Sequence, residues 1–573
     1  MVKKRASVQA KLSEMTKAFY NQDYQNVLNK AKMNIPLFYG DAQFYQLVGL
    51  SELKLGSFSK AINALLKCIQ LEPKNQSYLC NLAIAYHKGG YLEKAQQTLE
   101  GLLLINASHM QGICTLGNVY IEQGDFNLAL QQFELADNLH PRNFAVIYSL
   151  GFTLRRLQRL EDAIAKLMLA HELDRQSKLV LIELGKAYQQ LGENQKAIDF
   201  YTRYQELRED RLILRNLAVA YKDIGSIDLA VSCLEGLIAE DASDCEPFRM
   251  LTTIKKIDVA APLVKKMEKI PHSALTASNN ASKYFGLAKV FEDHRDYKKA
   301  FEYIQLANQE RRRHLPYRLI DEITWHQILI EKQKSLNDAK IVERLEKRII
   351  PILIVGMPRS GTSLLEKILS CHSKVKCLGE LEDVREICAP IIQTGEQIST
   401  EDLAYVRRRY LTVLKNKSEN HSYVVDKMPQ NFRYIPIIKA AIPEAKIIHM
   451  SRDKKAVCWS NYRTHFGSTG LRYSYNLDDT LRYYELYETM MQEWPDYFFY
   501  TVKYESLTSE TERELRSLVE YLGISWEKEM LSPEKSTLIT KTASQFQVQK
   551  PIYTGSSSSW KSYKEYIGGI FDR

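Results

Sequence analysis

The sequence has little net charge, few helix breakers and no paired cysteines. Its 78 Lys and Arg stand against 69 Asp and Glu, leaving +9 over 573 residues. That excess is too mild for the footprint of a general nucleic-acid binder, though it allows a local basic pocket for a small anion. Pro and Gly are sparse, at 16 and 25. The nine cysteines, Cys68, Cys80, Cys114, Cys233, Cys245, Cys371, Cys377, Cys388 and Cys458, include no CxxC pair. Neither a zinc site nor a thioredoxin-like motif is therefore signalled, and buried, reduced thiols are expected. The strongest apolar run, Ile352 to Met357, is far too short to span a bilayer. The opening MVKKRASVQAKLSEM is basic but has no apolar core of a secretory signal. These absences point to a soluble, cytoplasmic protein with no membrane span, no nucleic-acid partner and no metal site.

What is present is a chain that is 45% hydrophobic and holds 34 Tyr, which excludes wholesale disorder and suggests aromatic-rich helical packing. The length predicts two or more domains. The first half repeats with a period of about 34 residues. In the clearest copy, Leu116, Gly117 and Tyr120 fall on one helix, Gly124 at a turn, Ala129, Phe133 and Ala136 on a second helix, and Pro141 at the close. Earlier copies carry Leu82, Tyr86 and Ala95, and before them Gly49, Gly56, Ala61 and Pro73. Later ones carry Leu150, Gly151, Ala163 and Ala170; then Leu184, Gly185, Tyr188, Gly192, Ala197 and Tyr201; then Leu217, Tyr221, Gly225 and Ala230. Each copy reads as a helical hairpin that cannot bury its apolar face alone and must stack on its neighbours. Small residues suit the helix crossing, large ones the gap to the next hairpin. The pattern resembles the tetratricopeptide repeat (TPR) over residues 42–244, about six copies. Such arrays bind peptides or proteins, or serve only to hold a neighbouring domain. Residues 1–41 read as further helices, and 245–345 as helices with a degenerate copy marked by Leu287, Phe291, Ala300 and Ala307. The run Arg311, Arg312 and Arg313 reads as a solvated helix end, with a phosphate contact as the other reading.

At Pro351 the pattern changes. ILIVG is a short apolar run expected of a buried parallel strand. MPRSGTS and the helical LLEKILSCH follow. Strand, glycine-containing loop and helix in that order form a phosphate cradle, with backbone N–H groups and the helix dipole facing the anion. A Walker A loop would have Lys where Thr362 stands, so a kinase or ATPase would lack the cation for its terminal phosphates. Arg359, inside the loop, suits a phosphate–sulfate unit instead. Downstream, AKIIHMSRDKKAVCWS reads as a strand, then Arg452, then a helix with Ser460. Arg grips a phosphate bidentately while the Ser hydroxyl approaches from the helix.

PRSGTS after a strand resembles the 5′-phosphosulfate loop of sulfotransferases, which use 3′-phosphoadenosine 5′-phosphosulfate (PAPS). The likeness is nearest to the tyrosylprotein-sulfotransferase branch and extends over most of residues 351–573. HSKVKCLGE matches the segment ending in that family's catalytic glutamate, VVDKMP its active-site lysine, VKYESL its nucleotide-contacting tyrosine, and TASQFQVQKPIY with SSSSWKSY its C-terminal segment. Helical repeats ahead of such a domain resemble the TPR-containing sulfotransferases of bacteria. The resemblance implies an α/β, P-loop-like domain over 346–573, with a parallel sheet flanked by helices, behind an all-α TPR solenoid.

It also implies roles. Glu380 would be the base that takes the acceptor's proton, with His372 as runner-up. Arg359 and Lys427 would hold the sulfate and bridging oxygens, and Ser544 would add a hydrogen bond. Ser360, Gly361, Thr362 and Ser363 would bind the 5′-phosphate, Arg452 and Ser460 the 3′-phosphate, and Tyr504 the nucleotide. The family has Lys or Arg just before the tail Trp; here Ser559 precedes Trp560, so Lys561, the nearest base, would take that contact to the nucleotide. PAPS is the implied co-substrate, with no metal. The expected partner is a hydroxyl-bearing acceptor, with protein tyrosine, a polysaccharide or a small metabolite all open, and a peptide or protein on the repeat array. A homodimer is a further candidate. Tyr473, Tyr475, Tyr483 and Tyr484 are expected to pack between helices, with stacking on substrate as the other reading. Two other functional readings are open: a P-loop kinase or NTPase, and a non-catalytic TPR scaffold.

Overall fold

The computed structural model describes residues 2–334, 336, 349–394, 397–419, 421–467, 470–536, 538 and 551–571. The chain forms two compact units, Met1–Ala230 and Val231–Arg573.

The first unit is helical. After Val2–Tyr20 and Tyr24–Asn34 come helical hairpins: Ala42–Lys54 with Phe58–Leu71, Gln76–Lys88 with Leu92–Ile105, Met110–Gln123 with Phe126–Leu139, Phe144–Arg156 with Leu160–Leu173, and Lys178–Leu191 with Asn194–Leu207. Arg211–Asp223 with Ile227–Glu240 runs on past Ala230. The repeating residues explain the geometry. A Cβ added to Gly117 would lie 2.6 Å from the Phe133 ring, and one on Gly185 would lie 2.3 Å from Tyr201, so only glycine lets these helix pairs cross so closely. Ala129 and Phe133 are fully buried beneath the crossing. Gly124 ends its helix at φ 88°, where glycine avoids the Cβ clash of the left-handed region. Helix starts are fixed by caps such as Asn143, whose side chain accepts from Val146 N at 3.2 Å. One buried ion pair, Arg155 to Glu183 at 2.6 Å, joins neighbouring hairpins.

The second unit opens with helices Glu246–Ile254 and Pro262–Lys269, the hairpin Ala277–Asp293 with Tyr297–His314, and helix Leu319–Lys334. Leu287, Phe291, Ala300 and Ala307 are buried within that hairpin. Of the run Arg311 to Arg313, the second and third are exposed as a solvated helix end, but Arg311 is engaged in the fold. It donates to Phe466 O and to the Tyr475 hydroxyl, both at 3.0 Å, because its helix packs against this unit's sheet domain and the last turn finds backbone acceptors there. Arg312 pairs with Asp479 and Arg313 with Glu310.

Five parallel strands follow: β1 (Ile350–Gly356), β2 (Val375–Cys377), β3 (Tyr423–Asp426), β4 (Lys446–Ser451) and β5 (Tyr500–Lys503). Their order is β2-β3-β1-β4-β5, with Ile352 of β1 opposite Val425 of β3 and Lys446 of β4. Alternation along β1 sends Leu353 and Val355 to one core, and Ile352 and Ile354 to the other. The first core also takes Phe291, Ile304 and Leu329 from the preceding helices and Tyr563 and Ile567 from the tail. Helices on both faces of a parallel sheet make this an α/β domain. Tyr473, Tyr475, Tyr483 and Tyr484 are buried, and the first and third stack with ring centroids 3.8 Å apart. All nine cysteines are free thiols. Among the described residues, no helix is long and apolar enough to cross a membrane.

Candidate active site

In an open parallel sheet, the carboxyl ends of the strands, where strand order reverses, are the natural ligand crevice. β1 is central, with β3 on one side and β4 on the other. The sequence candidates follow the strands at that edge: the Met357–Gly361 loop after β1, Glu380 after β2, Lys427 after β3, Arg452 after β4 and Tyr504 after β5.

The loop turns on two glycines. A Cβ on Gly356 would lie 2.5 Å from Met450 O, and one on Gly361 2.4 Å from the Tyr504 ring. Between them Arg359 adopts φ 70°, a left-handed conformation that costs a non-glycine residue roughly 1–2 kcal/mol. Such strain persists where surrounding structure holds it. Helix Thr362–Leu369 then starts without a capping side chain, as suits an end that faces an anion. Ser360, Thr362 and Ser363 are all buried there.

Arg359 Nε donates to Ser460 Oγ at 3.0 Å. Arg452 Nη1 donates to Arg359 O at 2.9 Å, and its guanidinium lies 4.3 Å from the Tyr504 ring centroid. Its Nε and Nη2 donate to Ser557 and Ser556 at 3.1 and 3.0 Å. Burial, then the nearby Arg463 and Arg452 charges, push the Arg359 guanidinium down to about 9. Burial likewise lowers Arg452. A desolvated cluster of guanidiniums is stabilised by a multivalent anion. Among the described residues, the buried Ser360 hydroxyl also has no hydrogen-bond partner. This donor set fits a nucleotide carrying both a 3′-phosphate and a 5′-phosphosulfate.

Beside it, Lys427 is buried and bridges two carboxylates. Its Nζ is 2.5 Å from Glu380 Oε1 and 3.7 Å from Glu366 Oε2. Glu380 is 44% exposed, whereas Glu366 is 1% exposed. Glu366 also accepts from Gly379 N at 3.0 Å, which orders the turn before Glu380. Burial, opposed by Lys427, raises the Glu366 carboxyl. Asp426, next to Lys427, accepts from Leu381 N, Tyr410 and Asn431. Burial pushes it up to about 7.

Two groups thus form: Arg359, Arg452, Ser460 and Tyr504 around the loop, and Glu380 with Lys427. Lys561 joins neither. It is exposed, and no hydrogen bond or ion pair links it to these residues among the described ones. The stretch Ser556–Tyr563 is a 3₁₀ helix of about three residues per turn, so Ser559 shares the face of Ser556 while Lys561 does not. Ser544 lies outside the described residues. His372 is buried. Its Nδ1 accepts from Lys374 N at 3.1 Å and its Nε2 is 2.7 Å from Ser525 O, so both ring nitrogens are engaged in the fold. Sequence reading missed Glu366, Asp426, Arg463, Ser556 and Ser557. A faint signal existed for Glu366, a lone acid in an apolar stretch one helical turn after Thr362.

Comparisons agree with this architecture. Residues 351–528 match the sulfotransferase family model, and residues 42–75, 114–178 and 180–212 match tetratricopeptide-repeat models. The chain therefore joins a TPR array to a sulfotransferase-family domain. Among its relatives, a protein of Aquifex aeolicus (strain VF5) named only as uncharacterized is 29% identical over 63% of this chain and 50% of its own length. Protein-tyrosine sulfotransferase 1 of Danio rerio is 26% identical over 36% of this chain and 65% of its own length. The human protein-tyrosine sulfotransferase 1 is 25% identical over 36% and 62%. The aligned parts span between half and two thirds of these relatives. Among solved structures, the TPR protein YrrB, titled as having an unusual peptide-binding site, is 22% identical over 32% of this chain and 94% of its own, with a TM-score of 0.29.

Proposed function

We propose that this chain transfers a sulfuryl group from PAPS to a hydroxyl acceptor in the cytoplasm. Residues 346–573 would perform the reaction, and the array over 42–244 would hold the acceptor or a partner protein. Protein tyrosine leads the acceptor candidates, by likeness to the protein-tyrosine sulfotransferases. The observation that carries the reading is the convergence of Arg359, Arg452 and Ser460 on one loop while Lys427 and Glu380 pair at the adjoining strand end.

Bound PAPS supplies an activated sulfuryl group with a phosphate leaving group. The rest is positioning and charge stabilisation. Glu380, partly exposed, accepts the proton of the acceptor hydroxyl. Lys427 holds that carboxylate in place and faces the oxygens where negative charge builds. Arg359 takes the sulfate end, and the first-turn amides with Ser360, Thr362 and Ser363 take the 5′-phosphate. Arg452 and Ser460 take the 3′-phosphate, and Tyr504 flanks the nucleotide. Ser544 would add one hydrogen bond by the same likeness. Nine free thiols suit a reducing compartment.

The test is direct. Purified protein is incubated with sulfur-labelled PAPS and tyrosine peptides, glycans or phenols, and PAPS binding is titrated against ATP. Label transfer together with a preference for PAPS supports the reading. Tight ATP binding without PAPS binding overturns it.

A further inference from the structure

One carboxylate from outside the family-matched segment reaches the donor side of this site. Glu292 stands near the end of helix Ala277–Asp293, ahead of residues 351–528. Its Oε1 accepts from Arg463 Nη1 at 2.6 Å and from the Tyr563 hydroxyl at 2.9 Å. Both partners bear on the anion cluster. Arg463 directly follows the helix that carries Ser460, and Ser460 Oγ accepts from Arg359 Nε at 3.0 Å. Tyr563 closes the stretch Ser556–Tyr563, whose first two residues accept from Arg452. Its ring is 1% exposed and packs on Trp459 with centroids 4.4 Å apart.

The same hairpin grips its surroundings at other points. Asn308 donates to Tyr462 O at 2.9 Å, and Arg311 to Phe466 O at 3.0 Å. Phe301 stacks on Trp459 and on Tyr566 at 6.2 and 5.5 Å. Hairpin, Ser460 helix and tail are therefore joined by backbone, ionic and aromatic contacts.

We propose that Glu292 is a positioning residue for the donor nucleotide. It holds Arg463 beside Arg359 and Arg452, and through Tyr563 it fixes the two serines on Arg452. The physical need is clear. Like charges on Arg359, Arg452 and Arg463 repel one another where burial strips water away, and a carboxylate on Arg463 offsets that repulsion. Both partners share one oxygen, so removing the carboxylate releases both at once. The inference rests on the PAPS reading above.

Full-length Glu292→Gln, Glu292→Ala, Glu292→Asp and Tyr563→Phe are compared with the parent protein. Calorimetry gives affinity for 3′-phosphoadenosine 5′-phosphate, and initial rates give KM for PAPS and kcat. Gln and Ala are expected to weaken nucleotide binding about tenfold or more, as for loss of one partner from a desolvated charge pair. KM rises in step, while kcat at saturating PAPS holds. Asp restores part of the affinity. Tyr563→Phe costs less alone and little more on top of Ala, since both act through one oxygen. Gln leaves Tyr563 an acceptor, so it and Tyr563→Phe decide the question if Ala unfolds. Unchanged affinity in folded Gln and Tyr563→Phe variants overturns the inference. So does a fall in kcat and melting temperature with KM unmoved. If the parent protein binds no nucleotide, the PAPS reading falls as well; if parent and variants bind alike, only the role of Glu292 falls.

Discussion

The repeat array buries small and apolar side chains, and its buried ion pair among the described residues, Arg155 with Glu183, joins one hairpin to the next. The sheet domain instead buries Glu366, Asp426 and Lys427 at the carboxyl ends of its strands, where packing alone would favour apolar residues. Desolvating a charge costs several kcal/mol unless partners repay it, and such costs collect where chemistry needs poised groups. The pair in the array is satisfied: Arg155 reaches Glu183 and Gln190, and Glu183 also takes Lys186. The strand-end cluster is less evenly matched, with one lysine between two carboxylates and a third acid that, among the described residues, accepts hydrogen bonds from neutral donors. One region uses charge to join hairpins, and in the other we propose that it serves the reaction.

This contrast can be broken or sharpened by experiment. The largest effect is expected from Glu380→Gln, which should lower kcat by about 10²–10⁴-fold, as for loss of a general base, with the melting temperature lowered only as far as Glu366 fails to compensate buried Lys427. Full activity would move the base elsewhere. Next, Phe133→Ala should destabilise the array by about 3–5 kcal/mol, the usual cost of truncating a buried aromatic. Calorimetry should show a lower melting temperature for the array while affinity for nucleotide holds. Arg452→Ala should weaken nucleotide binding about 10–100-fold, corresponding to the roughly 1.5–3 kcal/mol of a hydrogen bond to a charged group, with the stability of the array unchanged. The smallest effect concerns pH. Asp426 binds its proton more tightly folded than unfolded, with a folded value of about 7 against an ordinary 3.8. Its penalty is therefore absent below about pH 4, grows as pH rises towards 7, and is full above that. Asp426→Asn removes the penalty, so the mutant-minus-parent difference in melting temperature should grow from pH 5 to pH 7. A difference that stays flat would show that Asp426 is not the titrating group.

Much of this was legible in the sequence, for identifiable reasons. Gly117, Gly151 and Gly185 announce the array because each makes the same close crossing with Phe133, Leu167 or Tyr201, and a local contact repeats at a fixed interval. The phosphate loop was legible because Gly356, Gly361 and the apolar strand before them serve one turn. Glu366 was not, because its burial depends on Lys427, which arrives 61 residues later from β3. Arg311 read as a solvated helix end because its acceptors, Phe466 and Tyr475, lie about 155 and 164 residues away. Lys561 stood in for the family's cation by distance along the chain, whereas 3₁₀ geometry turns Ser556 and Ser559 to one face and Lys561 to another. Local patterns reveal elements; partners brought together from afar do not show until the fold is known.

The hydrogen bond from Tyr563 to Glu292 closes a loop of 271 residues. Hairpins that close over a few tens of residues form fast, whereas contacts of such separation must wait for the loop-closure entropy to be met. Refolding should therefore be biphasic. Helical signal should return early, and the ability to quench a fluorescent nucleotide should return late, with the second phase slowing when Glu292 is replaced.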